Sequence, residues 1–370
     1  MKFVANGTVL SDACFTVVKA CAVKAVMPVL ECIKVEAKND VLKLTAYDGE
    51  ISIEKEINVE VLDEGEICVN GKFFSDFIGK ISFSEITVDS DDKGIKIEYG
   101  DNETYMQTLP ASDFPVIKEK DVSEENYFEI RESALKELIQ KVVFCCATDD
   151  SRPILKGCLL EAKDGFLYAT ALDGFRMACS KQEIVGGTDI KIVCPARTLT
   201  EISRMLEGND DILKIYADKN KLSVSVKDTV ITSRLYVGEF VRKENIFPVD
   251  FATVVKVKRE LVTASIERAS VLTRGDKNNL VLMDIKNGKI TIKANSDIGK
   301  VEETVSAEVE GLDLSIAMNG KFLQEAIKAL EEENAVISFN TPVAPFTVEN
   351  EEDKTTQYLV LPVRTSNYNQ

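Results

Sequence analysis

Residues 28–49 read PVLECIKVEAKNDVLKLTAYDG, residues 153–174 read PILKGCLLEAKDGFLYATALDG, and residues 279–297 read NLVLMDIKNGKITIKANSD. Each run sets two alternating segments on either side of Asn39-Asp40, Asp164-Gly165 or Asn287-Gly288, pairs that favour the positive φ of a tight hairpin turn. The runs close on Asp48, Asp173 and Asp297, which lie 125 and 124 residues apart. A second block keeps the same register: Val69-Asn-Gly-Lys-Phe-Phe, Pro195-Ala-Arg-Thr-Leu and Met318-Asn-Gly-Lys-Phe-Leu, with Lys72, Arg197 and Lys321 again 125 and 124 apart. Two independent blocks in one period define three homologous domains of about 120 residues each, within the usual domain size. They are expected to span 1–120, 126–247 and 248–370, with boundaries in the polar stretch 118–126 and the turn-like stretch 244–250.

The repeats share a coarse grammar. Apolar residues three and four apart predict a helix over 11–26, 131–147 and 258–274, with Ser11-Asp12 as the first start. The second block predicts another helix over 71–81, 196–206 and 320–330, and alternation returns after it, as in 94–99 and 222–226. Each domain is therefore two helices packed on antiparallel sheet, an α+β arrangement.

Composition removes much chemistry. Among 370 residues there is no histidine, which excludes a Ser-His or Cys-His nucleophile pair, an imidazole base and histidine-ligated zinc. Nine cysteines, all before residue 195, form no CxxC, and Cys145-Cys146 are too close for ordinary disulfide or chelate geometry. Buried thiols in a reducing cytoplasm are expected, with no metal and no cofactor. The start lacks a signal peptide and no apolar run of about 18 residues occurs, so a cytoplasmic protein with no membrane partner is expected. A carboxylate site built from Asp48, Asp173 and Asp297 is disfavoured, because each ends a strand at a turn where aspartate serves local hydrogen bonding.

Lys and Arg number 45 against 62 Asp and Glu, a net charge of −17. The predicted helices run against that trend, with fifteen basic and eight acidic residues in the windows 11–26, 70–81, 131–147, 196–206, 258–274 and 319–330. Thinly spread cations without aromatic stacking groups suit loose contact with phosphates and not base reading. Charge alone leaves solvated helix faces open as the other reading.

Further motifs fall in register with the repeat: Leu109-Pro-Ala-Ser-Asp-Phe-Pro115, Asp150-Ser-Arg-Pro-Ile-Leu-Lys-Gly157, Ala171-Leu-Asp-Gly-Phe-Arg-Met-Ala178, Glu267-Arg-Ala-Ser-Val-Leu272 and Tyr358-Leu-Val-Leu-Pro-Val-Arg364. Taken together, they give a chain that over its whole length resembles the bacterial sliding clamp family, the beta subunit of DNA polymerase III. The resemblance implies a head-to-tail homodimer, a six-domain ring lined by helices, walled by continuous sheet and threaded by duplex DNA without sequence preference. Such a ring is a non-catalytic processivity factor. Lys24 and Arg152 fit the family's basic contacts, and the repeat-related Lys72 and Arg197 join them as candidate DNA contacts. Met106 on one side and Val271 and Leu272 on the other are the expected dimer seam.

The resemblance also implies a pocket between the second and third domains for short, partly apolar peptides of the replicative polymerase, the clamp loader and repair proteins. Carried over by position, it comprises Leu155, Leu172, Gly174, Phe175, Arg176, Met177, Pro248, Val343, Pro345, Leu359, Val360, Leu361, Pro362, Val363 and Arg364. Arg176 is expected to give its guanidinium to the peptide. Phe175 stands where the family often has histidine, Asp149 where a neutral polar residue is familiar, and Pro153 and Ile154 where some members carry aromatic residues. The competing reading is a repeat-built adaptor that binds peptides without encircling DNA.

Overall fold

The computed structural model describes residues 1–91, 93–117, 125–241, 246–273 and 279–364. The expected boundaries fall partly on 118–124 and 242–245, and Arg274 falls on 274–278, all outside the described residues.

The hairpin turns adopt the backbone their residues favour. Asn39 and Asp40 have φ of 52° and 60°, Asp164 and Gly165 52° and 80°, Asn287 and Gly288 51° and 68°, the paired positive values of a tight hairpin. Asp48 Oδ1 accepts the N–H groups of Glu50 and Ile51 at 2.9 and 3.0 Å. Asp173 Oδ1 accepts those of Phe175 and Arg176 at 2.8 and 3.0 Å. Both aspartates thus close turns. Among the described residues no group of three or more Cys, Asp or Glu side chains is placed to hold a metal ion.

Two helices belong to each repeat: α1 (Gly7–Val17), α2 (Gly71–Ile78), α3 (Glu132–Val142), α4 (Ala196–Met205), α5 (Arg259–Leu272) and α6 (Gly320–Lys328). The Asn-Gly of the second block is a cap followed by a close approach. Asn70 accepts the Phe73 N–H at 3.0 Å, and Asn319 accepts those of Lys321 and Phe322 at 3.0 and 3.3 Å. A Cβ on Gly71 would meet Cys21 Sγ at 2.5 Å, and one on Gly320 would meet Val281 Cγ2 at 2.7 Å.

The first helix departs from expectation. It starts at Gly7 and not at Ser11, because strand Lys2–Asn6 runs straight into the cap Asn6, which accepts from Thr8 and Val9. It stops at Val17, where two β-branched residues precede a 3-10 turn, Val18–Ala20. Likewise α3 gives way to the 3-10 turn Val143–Cys145. The predicted helices over 11–26 and 131–147 were therefore too long at their C-terminal ends, and Lys24 lies in an exposed loop.

The chain forms two compact units that cut across the three repeats: Met1–Glu132, Val185–Ile190 and Arg204–Leu235 in one, Ser133–Ile184, Lys191–Ser203 and Tyr236–Gln370 in the other. The first unit holds a 14-stranded sheet; the second holds a 9-stranded and a 4-stranded sheet. In the first unit, strand Ile51–Asn58 of repeat one pairs antiparallel with Thr229–Arg234 of repeat two, Ile53 opposite Ile231. In the second, the equivalent strand Arg176–Glu183 pairs with Thr356–Val360 of repeat three, Met177 opposite Leu359. One rule thus joins neighbouring repeats twice.

Among the described residues the third-repeat counterpart, Gly299–Ser306, pairs only with Lys289–Ser296 and is an edge of the 4-stranded sheet. Asn102–Leu109, the first repeat's counterpart of Thr229–Arg234, pairs along its length with Gly94–Tyr99. On its other side only Thr108 and Leu109 find partners among the described residues, Val69 and Cys68.

Helices and sheets bury apolar faces against each other. Leu10, Ala13, Cys14 and Val17 do so for α1, and Leu323, Ala326 and Ile327 for α6. Each large aliphatic side chain so placed contributes about 1.5–3 kcal/mol. Eight cysteines are buried and Cys179 is partly so. Burial pushes the Cys32 thiol up to about 11 and the Cys21 thiol up to about 12. No helix among the described residues is long and apolar enough to cross a membrane.

Candidate partner pocket and nucleic-acid face

Strand alternation gathers the pocket. Leu172 ends one strand of a hairpin and Met177, second residue of the next, stands directly opposite, while Leu359 faces Met177 from the far side. These three form one cluster with Leu155 and Ala147, against which Ile154, Phe240, Ile246, Phe247 and Leu361 pack. The sequence reading had named Leu155, Leu172, Met177, Leu359 and Leu361. Ala147, Phe240, Ile246 and Phe247 were not among them and lie in loops or turns. Val360 is fully buried, pairs with Arg176 and Phe346, and its side chain alternates away from its neighbours Leu359 and Leu361.

The rim is open. Phe175 is 63% exposed, Val343 59% and Gly174 exposed, with φ of 92° that favours glycine. Pro248, Pro345, Pro362 and Val363 are half-buried and Arg364 is exposed. The C-terminal run is held as an extended segment: Leu361 N–H donates to Phe175 O at 2.9 Å and Val363 N–H to Ala317 O at 2.8 Å. Met177 is itself buried at 3%, so a charge introduced there strikes the cluster as well as any ligand. Phe175 is the cleaner position to alter.

The Arg176 guanidinium, expected to serve a peptide, is engaged within the chain. Its Nε donates to Asp173 at 3.1 Å and its Nη2 to Phe144 O at 2.6 Å, while Nη1 donates to Glu325. The group also lies 4.4 Å from the Phe322 ring centroid and 5.4 Å from that of Phe144. Three of its five N–H donors are thus committed within the chain, and the residue ties the second-repeat strand to α6. Phe322, which also stacks on Phe175 at 6.4 Å, was invisible to sequence reading. Nothing marks its distance from residue 175 along the chain as a contact.

The basic residues divide. Lys24, Lys72, Arg152 and Arg197 are all exposed, the first two in the first unit and the others in the second. Several other cations of the predicted helix windows are matched within the chain. Lys258 pairs with Glu333 at 2.8 Å, Arg268 with Glu303 at 2.7 Å, and Lys328 with Glu267 at 2.5 Å. Lys141 is only 3% exposed and bonds Glu137 and Glu331. Burial works to lower its pKa, and those two carboxylates outweigh burial and hold it above the ordinary lysine value. The helical positive charge counted from sequence therefore overstates the field available to a ligand, chiefly in the third repeat.

Of the expected seam residues, Val271 is 57% exposed on the last turn of α5 and Leu272 is half-buried. Met106 is buried within its own unit at 5%, while Tyr105 beside it is 52% exposed. Alternation along the strand turns Tyr105 outward in its place.

Comparison with known proteins matches all three repeats. The N-terminal domain of the DNA polymerase III beta subunit matches residues 1–118, the central domain 129–241 and the C-terminal domain 244–364. The beta sliding clamp of Bacillus subtilis is 30% identical over 379 residues, covering 99% of this chain and 100% of that protein. The crystal structure of the DNA polymerase sliding clamp from Bacillus subtilis superposes with a TM-score of 0.92 at 30% identity, covering 99% of each chain. That of the DNA polymerase III beta subunit from Thermotoga maritima gives 0.90 at 25% identity, covering 99% of this chain and 100% of the other. With the threefold repeat, the inter-repeat pairing and full-length similarity in agreement, the chain belongs to the sliding clamp family, the bacterial DNA polymerase III beta subunits.

Proposed function

We propose that two copies of the chain close head to tail into a six-domain ring around duplex DNA, and that it serves as a DNA sliding clamp holding the replicative polymerase on its template. The observation that carries this is a pair of open strand edges. Twice the strand after the repeat's hairpin pairs with the last strand of the next repeat. Gly299–Ser306 has no such partner among the described residues, and Asn102–Leu109 keeps most of one edge free. Unpaired edges invite pairing. A contact from repeat three of one copy to repeat one of the other, made twice, continues the rule and closes the ring. Val271 and Leu272 on one side and Tyr105 beside Met106 on the other supply apolar cover for that seam.

Lys24, Lys72, Arg152 and Arg197 supply loose, sequence-independent phosphate contacts. Encirclement provides persistence, so tight contacts would only impede sliding. The family is non-catalytic, and the chain is read as a cytoplasmic processivity factor with domains over 1–120, 126–247 and 248–370. Peptides of the polymerase, the clamp loader and repair proteins dock on the cluster around Leu155, Leu172, Met177, Leu359 and Leu361 through an apolar anchor. Arg176 acts there by fixing Phe322 and α6, not by touching the peptide.

The test is retention on DNA. Loaded protein should stay on closed circular duplex and leave linear duplex by its ends. Equal loss from both would favour a peptide-binding adaptor that does not encircle DNA.

A further inference from the structure

At the junction of repeats two and three, Arg176 bonds Asp173 in its own repeat and reaches Phe322 and Glu325 on α6 of the next. The repeat register sets out an equivalent group at the seam between copies. Lys300 stands three residues after Asp297, as Arg176 stands three after Asp173. Phe73 and Asp76 follow Lys72 on α2 by one and four residues, as Phe322 and Glu325 follow Lys321 on α6. Resting on the head-to-tail reading, we propose that the Lys300 ammonium of each copy seats on the Phe73 ring of the partner subunit and pairs with Asp76 of the partner subunit, a latch made once at each of the two seams.

Two observations carry this. The first is that ring and cation go together. Arg176 meets Phe322 at the second junction, whereas the equivalent residues at the first are Ile51 and Thr198, with neither cation nor ring. The acid stands at all three places, as Asp76, Glu201 and Glu325, so the ring is what tracks the cation. Lys300 and Phe73 restore the combination, and a cation over an aromatic face is an attractive contact. In the head-to-tail ring, repeat three of one copy is followed by repeat one of the other, which brings the two together. The second observation is exposure. Arg176 is 9% exposed, and Phe322, Glu325 and Phe144 are half-buried. Every equivalent is more open. Lys300 and Asp76 are exposed and Phe73 is 57% exposed. Val271, which stands twelve residues after the start of its helix as Phe144 does, is 57% exposed. The seam group thus looks like the second junction with its cover taken away. Lysine makes this latch weaker than its counterpart, because an ammonium is a point charge without the planar fork by which Arg176 holds three groups. A ring that must open to admit a closed duplex needs a seam that lets go.

Full-length variants test the latch by charge and by mixing. Lys300→Glu sets a carboxylate against Asp76, and Asp76→Lys sets two ammoniums together, at both seams of each homodimer. Each should raise the dimer dissociation constant at least about tenfold in sedimentation, since like charges brought together across an interface are costly. Mixed one to one, the two variants should form heterodimers whose affinity returns to within about threefold of the parent's, because one seam then carries both reversed charges and the other carries neither. A short tag on one variant lets native mass spectrometry tell the heterodimer from the homodimers. Phe73→Leu should weaken the parent dimer about threefold or more and have little effect in a Lys300→Gln background, which isolates the contact between cation and ring. Lys300 and Asp76 are exposed, and unchanged circular dichroism establishes that their variants fold. A wild-type chain that stays monomeric would overturn the ring reading and the latch together. A wild-type dimer indifferent to Lys300→Glu and Asp76→Lys, variants that mixing does not rescue, or indifference to Phe73→Leu would overturn the latch alone.

Discussion

Strands 51–58 and 176–183 occupy the same place in successive repeats, follow the same aspartate-closed turn and receive the last strand of the next repeat, yet they begin differently. The first opens on Ile51, 1% exposed and opposite Ser233. The second opens on Arg176, whose guanidinium is bonded to Asp173, Glu325 and Phe144 O. The first junction is thus held by apolar burial with the Lys55–Asp228 pair at its far end, and the second adds a buried charged tie to α6. Backbone register makes the junction, and a handful of side chains decide what it presents. Leu172, Met177, Leu359 and Leu361 give an apolar shelf, where Tyr47, Ser52, Thr232 and Arg234 give a polar one.

The most severe way to probe this contrast is at the junction proposed between copies, which has no connecting chain. Leu272→Asp should raise the dimer dissociation constant by about 100-fold or more, since docking would desolvate a carboxylate without a partner. Sedimentation should find monomers at micromolar protein, and an unchanged dimer would remove Leu272 from the seam. Next comes the charged tie. Arg176→Met should lower unfolding stability by about 2–4 kcal/mol because Asp173 and Glu325 lose their partner, whereas Ile51→Val should cost only about 0.5–1.5 kcal/mol. Urea denaturation decides it: equal losses would mean that the Arg176 tie adds nothing beyond apolar packing at the second junction.

A smaller effect separates the shelves. Phe175→Asp should weaken polymerase-peptide binding about tenfold or more by placing a charge at an apolar rim, and Glu50→Gln at the equivalent position should leave that binding unchanged in calorimetry. The smallest effect concerns the basic residues ahead of each junction's proline turn. Lys24→Ala and Arg152→Ala should each reduce the slope of log affinity against log salt by about 0.9, one phosphate contact apiece. A change in sequence preference would contradict non-specific sliding.

What sequence could and could not reveal follows from the distance over which each signal acts. Asn39-Asp40, Asp164-Gly165 and Asn287-Gly288 dictate their turns locally, so the hairpins and the repeat period were legible. Helix ends were less so. Ser11-Asp12 looks like a start, but Asn6 caps first and Gly7 tucks beneath Phe83 O, where a Cβ would come within 2.3 Å. In the pocket, Asp173 could be guessed for Arg176 from its spacing of three. Glu325, 149 residues away, and Phe322 could not. Resemblance supplies the pocket positions, whereas contacts between distant parts of the chain turn Arg176 inward and strand alternation turns Tyr105 outward.

The pairing of strands from different repeats also sets an order on synthesis. Ser52 meets Thr232 only 180 residues further along the chain, and Ser180 meets Thr356 only after 176. At about 5–20 residues per second on the ribosome, strand 51–58 waits on the order of ten to thirty seconds with one edge bare. Such an edge can seize a neighbouring nascent chain. The Glu54-Lys55-Glu56 run at its centre is the kind of charged gatekeeper that discourages this, and Lys55 meets its own partner, Asp228 at 2.6 Å, only when the rightful strand arrives.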